Sequence, residues 1–419
     1  MTAAVGATIM WSGPAVFAGD TEQNGPAANT SRPASTIGAG LEQAAGRALA
    51  HYPSLMAAEA DLQAAGQDVR TARWGRWPSA SLDVVARSDG DGFEPRVDVT
   101  QPLWTGGRIR GGVLRAEAFQ GAAAARVEEL RQDLLIQVTN AYFDHVRGQR
   151  LQAIYIDSLN EHRRLLDTMT RRVQQEVSPN ADLELARART ALVEQDLAAA
   201  EGQTDAARRR LVQLTGDANG TYSPPVYSPE LHHSPPSDAG QAAVACSPTL
   251  RRLASEADAA EAERMLARSA AVPEVGLRYS YDRLSGSVLG LVLRTETTGG
   301  LAPLSNARAA QARAFAADQQ VLTAERLVLE AVALDLVENT SARRRIEGAS
   351  AFAESTANVT ASYLRQFTAG RRTWLDVMNA VREGVTARVG LADAQISAMA
   401  SAARLEIRTC RWPSVEMAA

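Results

Sequence analysis

The sequence predicts a mainly α-helical protein with a small β contribution, built as a two-fold internal repeat of long coiled-coil helices plus β-hairpins. Three observations predict it: landmarks that recur at a fixed spacing, short runs that alternate in hydrophobicity, and long stretches free of proline. Ala50-His51-Tyr52-Pro53-Ser54-Leu55 is echoed by Ala245-Cys246-Ser247-Pro248-Thr249-Leu250, 195 residues on (248 less 53). Trp77-Pro78-Ser79-Ala80-Ser81-Leu82 is echoed by Val272-Pro273-Glu274-Val275-Gly276-Leu277 at the same offset (273 less 78), and Asp182-Leu183-Glu184-Leu185-Ala186 by Asp376-Val377-Met378-Asn379-Ala380 at 194 (376 less 182). A fixed period of this kind marks a duplicated unit. It divides the chain into a lead-in (1–39), repeat one (40–222), a Pro-rich connector (223–240), repeat two (241–412) and a short tail (413–419).

Met1 to Ala18 is charge-free and ends Ala15-Val16-Phe17-Ala18, with small residues where a signal peptidase reads, so it is either the remnant of an export signal, the reading adopted for the lead-in, or a floppy N-terminus. Gly19 to Ser35 lacks cysteine, which removes a lipid anchor just after the signal. In repeat one an Ala-rich helical stretch leads to a period-2 run, with Leu82, Val84 and Ala86 on one face and Asp83, Val85 and Arg87 on the other. The turn Ser88-Asp89-Gly90-Asp91-Gly92 follows, and the return run sets Val97 and Val99 against Arg96, Asp98 and Thr100 before Gln101-Pro102-Leu103-Trp104 closes it. From Pro102 to Pro179 there is no further proline, which allows about seventy helical residues and a rod on the order of 100 Å at about 1.5 Å rise per residue. Heptad-like steps at Leu135, Val138 and Tyr142 in this stretch, and at Leu185, Ala188 and Leu192 beyond Pro179, give the helices a coiled-coil seam.

The connector, Ser223 to Pro236, cannot be helix or central strand. Its His232-His233 pair is read as solvated linker, since two ligands in a flexible segment make a poor metal site. Repeat two runs in the same order. Val275, Leu277, Tyr279 and Tyr281 alternate with Glu274, Arg278 and Asp282, then Leu289, Leu291 and Leu293 with Gly290, Val292 and Arg294, and a second proline-free stretch spans Pro303 to Pro413.

The chain of 419 residues carries 44 basic and 48 acidic side chains, so no electrostatic case exists for nucleic acid, and every basic residue is Arg. Catalysis has no support: His51, His145 and His162 lack metal-ligand spacing, neither cysteine has a His and an acid near it, and no phosphate-binding Gly loop is present. No cofactor is expected. Cys246 and Cys410 are either two free buried thiols or a pair.

Strands of about nine to eleven residues with one apolar and one polar face have the length that crosses a bilayer, although a half-buried globular hairpin alternates in the same way. Four strands cannot close a barrel in lipid, where each unpaired backbone group costs several kcal/mol. A membrane role therefore requires an oligomer. Two chains give eight strands and a filled barrel, three give twelve and a lumen.

At Gln101-Pro102-Leu103-Trp104-Thr105-Gly106-Gly107-Arg108, and again from Tyr363-Leu364-Arg365-Gln366-Phe367-Thr368-Ala369-Gly370-Arg371-Arg372 through Thr373-Trp374-Leu375-Asp376-Val377-Met378-Asn379-Ala380, the chain resembles the TolC family of outer-membrane channels. Gly299-Gly300-Leu301-Ala302-Pro303-Leu304-Ser305, in place of a Pro-Leu-aromatic motif, looks like the branch serving type I secretion of adhesins, the LapE and agglutination-protein type. The resemblance implies a homotrimer with a twelve-stranded barrel in the cell outer membrane and a periplasmic α-helical tunnel. It further implies, as partners, outer-membrane lipid, a periplasmic adaptor, an inner-membrane ABC transporter and an exported polypeptide. Service to a proton-driven drug or metal pump is the alternative, and a soluble coiled-coil scaffold a further one.

The same resemblance sets Asp376 at a periplasmic constriction, with Asn379 where a second acid is usual, and Arg372 and Asp182 at positions that tie the helical hairpins together. Gly106, Gly107 and Gly370 fall at turns, with Thr105 a candidate cap. Glu176 stands where glycine is expected, so the first helical turn is expected to differ from the second. Cys246 and Cys410 fall in one mid-tunnel belt, where a bond would staple repeat two.

Overall fold

The computed structural model describes residues 38–86, 93–229, 238–283, 286–295, 300 and 302–412. The export-signal remnant, the turn at residues 88–92, His232 and His233, Gly299, Leu301 and the tail lie outside the described residues. Repeat one runs α1 (Ala39–His51), α2 (Pro53–Trp74), β1 (Ser79–Ala86), β2 (Phe93–Trp104), α3 (Arg108–Gln174) and α4 (Asn180–Thr215). Repeat two runs α5 (Ala239–Cys246), α6 (Pro248–Ser269), β3 (Glu274–Asp282), β4 (Gly286–Arg294), α7 (Ala302–Thr368) and α8 (Trp374–Arg408). The repeated Tyr52-Pro53 and Ser247-Pro248 pairs break the first helix of each repeat and start the next with proline in the first turn, where its missing N–H costs nothing. Helices α3 and α7 are each 67 residues long, rods of about 100 Å. The connector is shorter than its predicted span, since α5 opens at Ala239.

The strands form one antiparallel sheet in the order β1-β2-β3-β4, so both hairpins join through β2 and β3. Its register sorts the faces: Leu82 lies beside Val97 and Val97 beside Tyr281, while Val99 lies beside Tyr279 and Tyr279 beside Leu289. On the other face Asp83 lies beside Arg96 and Arg96 beside Asp282. The strand carries on through the Gln-Pro-Leu-Trp segment that was expected to close it, with a bulge between Pro102 and Trp104 that sets Trp104 opposite Val275. Among the described residues, strands β1 and β4 have no neighbour on their outer edges. Leu289, Leu291 and Leu293 of β4 are exposed by two thirds or more.

The main core gathers α1, α3, α4 and the end of α8 around Leu41, Leu134, Leu135, Val138, Tyr142 and Trp412. The start of the connector is pinned here. The Tyr142 hydroxyl donates to the Ser223 carbonyl at 2.6 Å, and a Cβ on Gly40 would stand 2.3 Å from that same oxygen, so only glycine fits. On α3 the predicted seam is buried, but on α4 Ala188 and Leu192 are exposed. The real α4 seam is Leu183, Ala186, Thr190 and Val193, then Ala200, Thr204 and Leu211. Two stripes with the same 3 and 4 steps lie side by side on this helix, and the one with fewer large side chains faces α3.

Repeat two roots its first helix differently. Helix α5 buries only Ala239 and Ala243, against Val332 and Leu405. Cys246 at its end is joined by a disulfide to Cys410, with Cα atoms 6.3 Å apart. Cys410 has a φ of +57°, and Arg411 N–H bonds Glu406 C=O at 2.8 Å, the geometry of a helix terminus that normally ends on glycine. Gly216 fills the matching place in repeat one, with a φ of +68°.

Candidate functional site: the helical turns and the root of the rods

The far end of each rod reverses through a short turn, and the two turns share one apolar cluster. Leu165, Met169 and Leu183 of repeat one pack with Phe367, Trp374, Val377 and Met378 of repeat two. The rings of Phe367 and Trp374 lie 5.2 Å apart, and the Arg172 guanidinium sits 4.8 Å over Phe367. This cluster was not anticipated; its signal was the apolar spacing of Phe367, Trp374 and Met378 around the turn.

The turns are alike in backbone, contrary to expectation. Gly370 has a φ of +71°, and Arg371 N–H bonds Gln366 C=O at 2.9 Å; Glu176 has a φ of +58°, and Val177 N–H bonds Arg172 C=O at 2.9 Å. The chain length of the turn dictates a left-handed residue, and Glu176 adopts it against the preference of a residue with a Cβ.

The starts of the returning helices differ. Pro179 precedes α4 without a side-chain cap. Thr373 caps α8 reciprocally with Asp376: Asp376 N–H donates to Thr373 Oγ1 at 3.3 Å, and Thr373 N–H to Asp376 Oδ2 at 3.3 Å. The Thr373 hydroxyl also donates to that carboxylate at 2.8 Å. These bonds, with the Thr373 hydroxyl foremost and Arg372 contributing, hold the Asp376 carboxyl below the usual aspartate range. Arg372 is engaged within its own turn, 3.8 Å from Asp376, 3.3 Å from Gln366 Oε1 and 4.3 Å over the Tyr363 ring. Asp182 stands in the first turn of α4, its N–H on Pro179 C=O. Among the described ion pairs Arg372 meets Asp376, not Asp182. Asn379 lies one helical turn beyond Asp376 and is half-buried.

At the other end of the rods, Gly106 and Gly107 turn the sheet into α3 with φ of +58° and +99°, and a Cβ on Gly106 would press Val272 at 3.1 Å. Gly107 is the cap position of α3, while the Thr105 hydroxyl accepts from Ile109 N–H at 3.4 Å. Arg108 pairs with Glu274, tying the start of α3 to β3.

Two buried carboxylates clamp the middle. Glu129 of α3 accepts from Arg252 of α6 at 2.7 and 3.2 Å and from Arg126 at 2.6 Å. Burial pushes its carboxyl up, but the two arginines outweigh this and hold it below the usual glutamate range. Asp335 of α7 accepts from Arg404 at 2.6 Å and Arg408 at 2.8 Å, both on α8. Among the described residues no group of three or more His, Cys, Asp or Glu side chains is arranged to hold a metal ion.

Paired rods on a four-stranded sheet with one apolar face are the architecture of solved outer-membrane channels. The solved outer-membrane channel OprN superposes with a TM-score of 0.78 at 20% identity, over 88% of this chain and 89% of that one. VceC of Vibrio cholerae, an outer membrane protein, gives 0.77 at 19%, over 88% and 95%. Residues 44–217 match the family described as Outer membrane efflux protein. The first repeat thus carries the sequence signature of these efflux proteins, and the described chain carries their fold. The nickel-cobalt-cadmium resistance protein NccC of Alcaligenes xylosoxydans xylosoxydans is 28% identical over 262 residues, 58% of this chain and 58% of that relative's length. By its name that relative serves metal resistance, whereas the expected adhesin-secretion branch rests on the Gly-rich segment around Gly299 alone.

Proposed function

We propose that three copies of this chain close a twelve-stranded barrel and serve as the passive exit duct of a tripartite efflux system. An adaptor and an energised inner-membrane pump supply the cargo. The single observation that carries the reading is the sheet: four strands, one apolar face, and two edges that find no neighbouring strand among the described residues. In hydrocarbon such edges require closure by further copies. Helix α7 supports it, since Phe315, Leu322 and Leu329 recur every seven residues along the rod and remain 40% or more exposed in one chain. The test is extraction of outer membranes followed by electrophoresis with and without heating; a species three chains in size that collapses on boiling supports the duct, and a soluble monomer sinks it.

The NccC relation makes a divalent transition-metal cation the first cargo to try. Loss of the gene should lower resistance to nickel, cobalt or cadmium while leaving surface adhesins in place; the reverse pattern would restore type I secretion. At the periplasmic end, Asp376 repeated three times would form an acidic ring that draws cations, weaker for having Asn379 beside it. Arg372 would leave its own turn to reach Asp182 when the hairpins tie together. Conductance of Arg372→Ser tests that link, and unchanged opening would exclude it.

A further inference from the structure

Between the connector and the rods lies a cavity of about 470 Å³, a size within the range of small-ligand sites. Each of two helices offers it one face at steps of 3 and 4, from Val146 to Ala153 on α3 and from Ala392 to Met399 on α8, and residues 224–227 of the connector form the third wall. That wall is fixed in place. Ser223 is held by the Tyr142 hydroxyl, a Cβ on Gly38 would stand 3.3 Å from Pro225 Cβ, and two consecutive prolines stiffen the backbone. The floor is apolar, with Val146, Ile396 and Met399 buried, while Val226 at the edge is 84% exposed. The polar groups of the lining are Gln149, Gln395 and Arg150, and no carboxylate joins them among the described residues. Arg147, almost one turn before Arg150, is held by Asp393 at 2.8 and 3.2 Å. Arg150 is exposed and enters no ion pair among the described residues.

We propose that this cavity binds a single-chain anionic amphiphile, with its acyl chain on Val146, Ile396 and Met399 beneath Val226 and its head on Arg150. The chemistry follows from the walls. An acyl chain removes apolar floor and the exposed Val226 from water, and a guanidinium takes an oxyanion through two parallel N–H bonds. A cationic head would be repelled by Arg150 and would find no carboxylate, and a neutral one would leave the charge uncompensated. The two glutamine amides add donors beside the head. A free fatty acid and a lysophospholipid share this chemistry. Because α3 belongs to repeat one, α8 to repeat two and the connector lies between them, a bound chain would tie the junction of the repeats together. The site lies within one chain and stands independently of the barrel reading.

The experiment is native mass spectrometry of the full-length protein released from a neutral polyoxyethylene detergent, with dodecanoate in one arm and lysophosphatidylglycerol in the other; the arm that binds more tightly identifies the source. One anion per chain should bind. Arg150→Gln should weaken it by about tenfold or more. Val226→Glu, a change on an exposed side chain that spares the fold, should weaken binding by repelling the head, and Val226→Lys should strengthen it. Met399→Trp should fill the cavity and abolish binding. Equal uptake of dodecyltrimethylammonium would overturn the proposal, as would a wild type that takes up neither anion or an affinity indifferent to Arg150→Gln and to the sign of charge at position 226. Binding gained only when residues 413–419 are removed would make the cavity the seat of the chain's own tail and would overturn it as well.

Discussion

Repeat one holds its first helix by burial, with Leu41, Ala44, Ala45 and Ala48 of α1 almost wholly enclosed by α3 and its neighbours. Repeat two offers α5 two alanines and a small cluster, and ties it to the end of α8 with the Cys246–Cys410 bond. The clamps divide similarly: Glu129 binds α3 to α6 across the repeats, whereas Asp335 binds α7 to α8 within one. At the tips, Gly370 and the Thr373–Asp376 cap give repeat two local chemistry suited to its turn, while Glu176 and Pro179 leave repeat one dependent on packing. One backbone plan is thus stabilised by tertiary contacts in one copy and by covalent and local devices in the other.

The sharpest way to break the contrast is Asp335→Ala, which leaves Arg404 and Arg408 without their buried partner and should cost about 3 kcal/mol, read by chemical denaturation. Reduction, or Cys246→Ser with Cys410→Ser, should cost about 2–4 kcal/mol. Hydrogen exchange should rise in α5 and the last turn of α8 but not in α1; equal loosening of α1 would contradict the division between repeats. Glu176→Gly should gain about 1 kcal/mol by relieving the left-handed residue, whereas Gly370→Ala should lose a similar amount. Thr373→Ala should cost about 1 kcal/mol and return the Asp376 carboxyl toward its ordinary titration range, observable by NMR.

The pH dependence has a fixed sign. Because the folded carboxyls of Glu129 and Asp376 titrate below their usual range, what they contribute is fully present above the unfolded-state range and is lost as pH falls through the lowered folded values. Acidification should therefore loosen α3 from α6 and the start of α8, and Arg252→Met should shift the first of these losses toward higher pH.

Much of this was legible in the sequence, because strand alternation is a local pattern: Leu82, Val97, Tyr281 and Leu289 lie on one face as their spacing requires. The rods were legible from the absence of proline. The α4 seam was not, since its two stripes have identical periodicity and only the partner helix decides between them. Nor was the turn at Glu176, where the closing hydrogen bonds of the hairpin override a residue's own preference. The cap on α8 could have been read from Thr373-x-x-Asp376. The bulge that redirects Trp104 leaves no signature, because it depends on pairing with a strand some 170 residues away (275 less 104 is 171).

The outer edges of β1 and β4, without a neighbouring strand among the described residues, carry a genetic consequence. In the proposed three-copy barrel each copy would close its neighbours as well as itself, so a chain whose edge strand is ruined would do more than fail alone: it would occupy a place in a ring that can no longer shut. Edge-strand lesions, such as proline within β4, should therefore be dominant when expressed beside the intact gene, and lesions confined to the α5 root should be recessive.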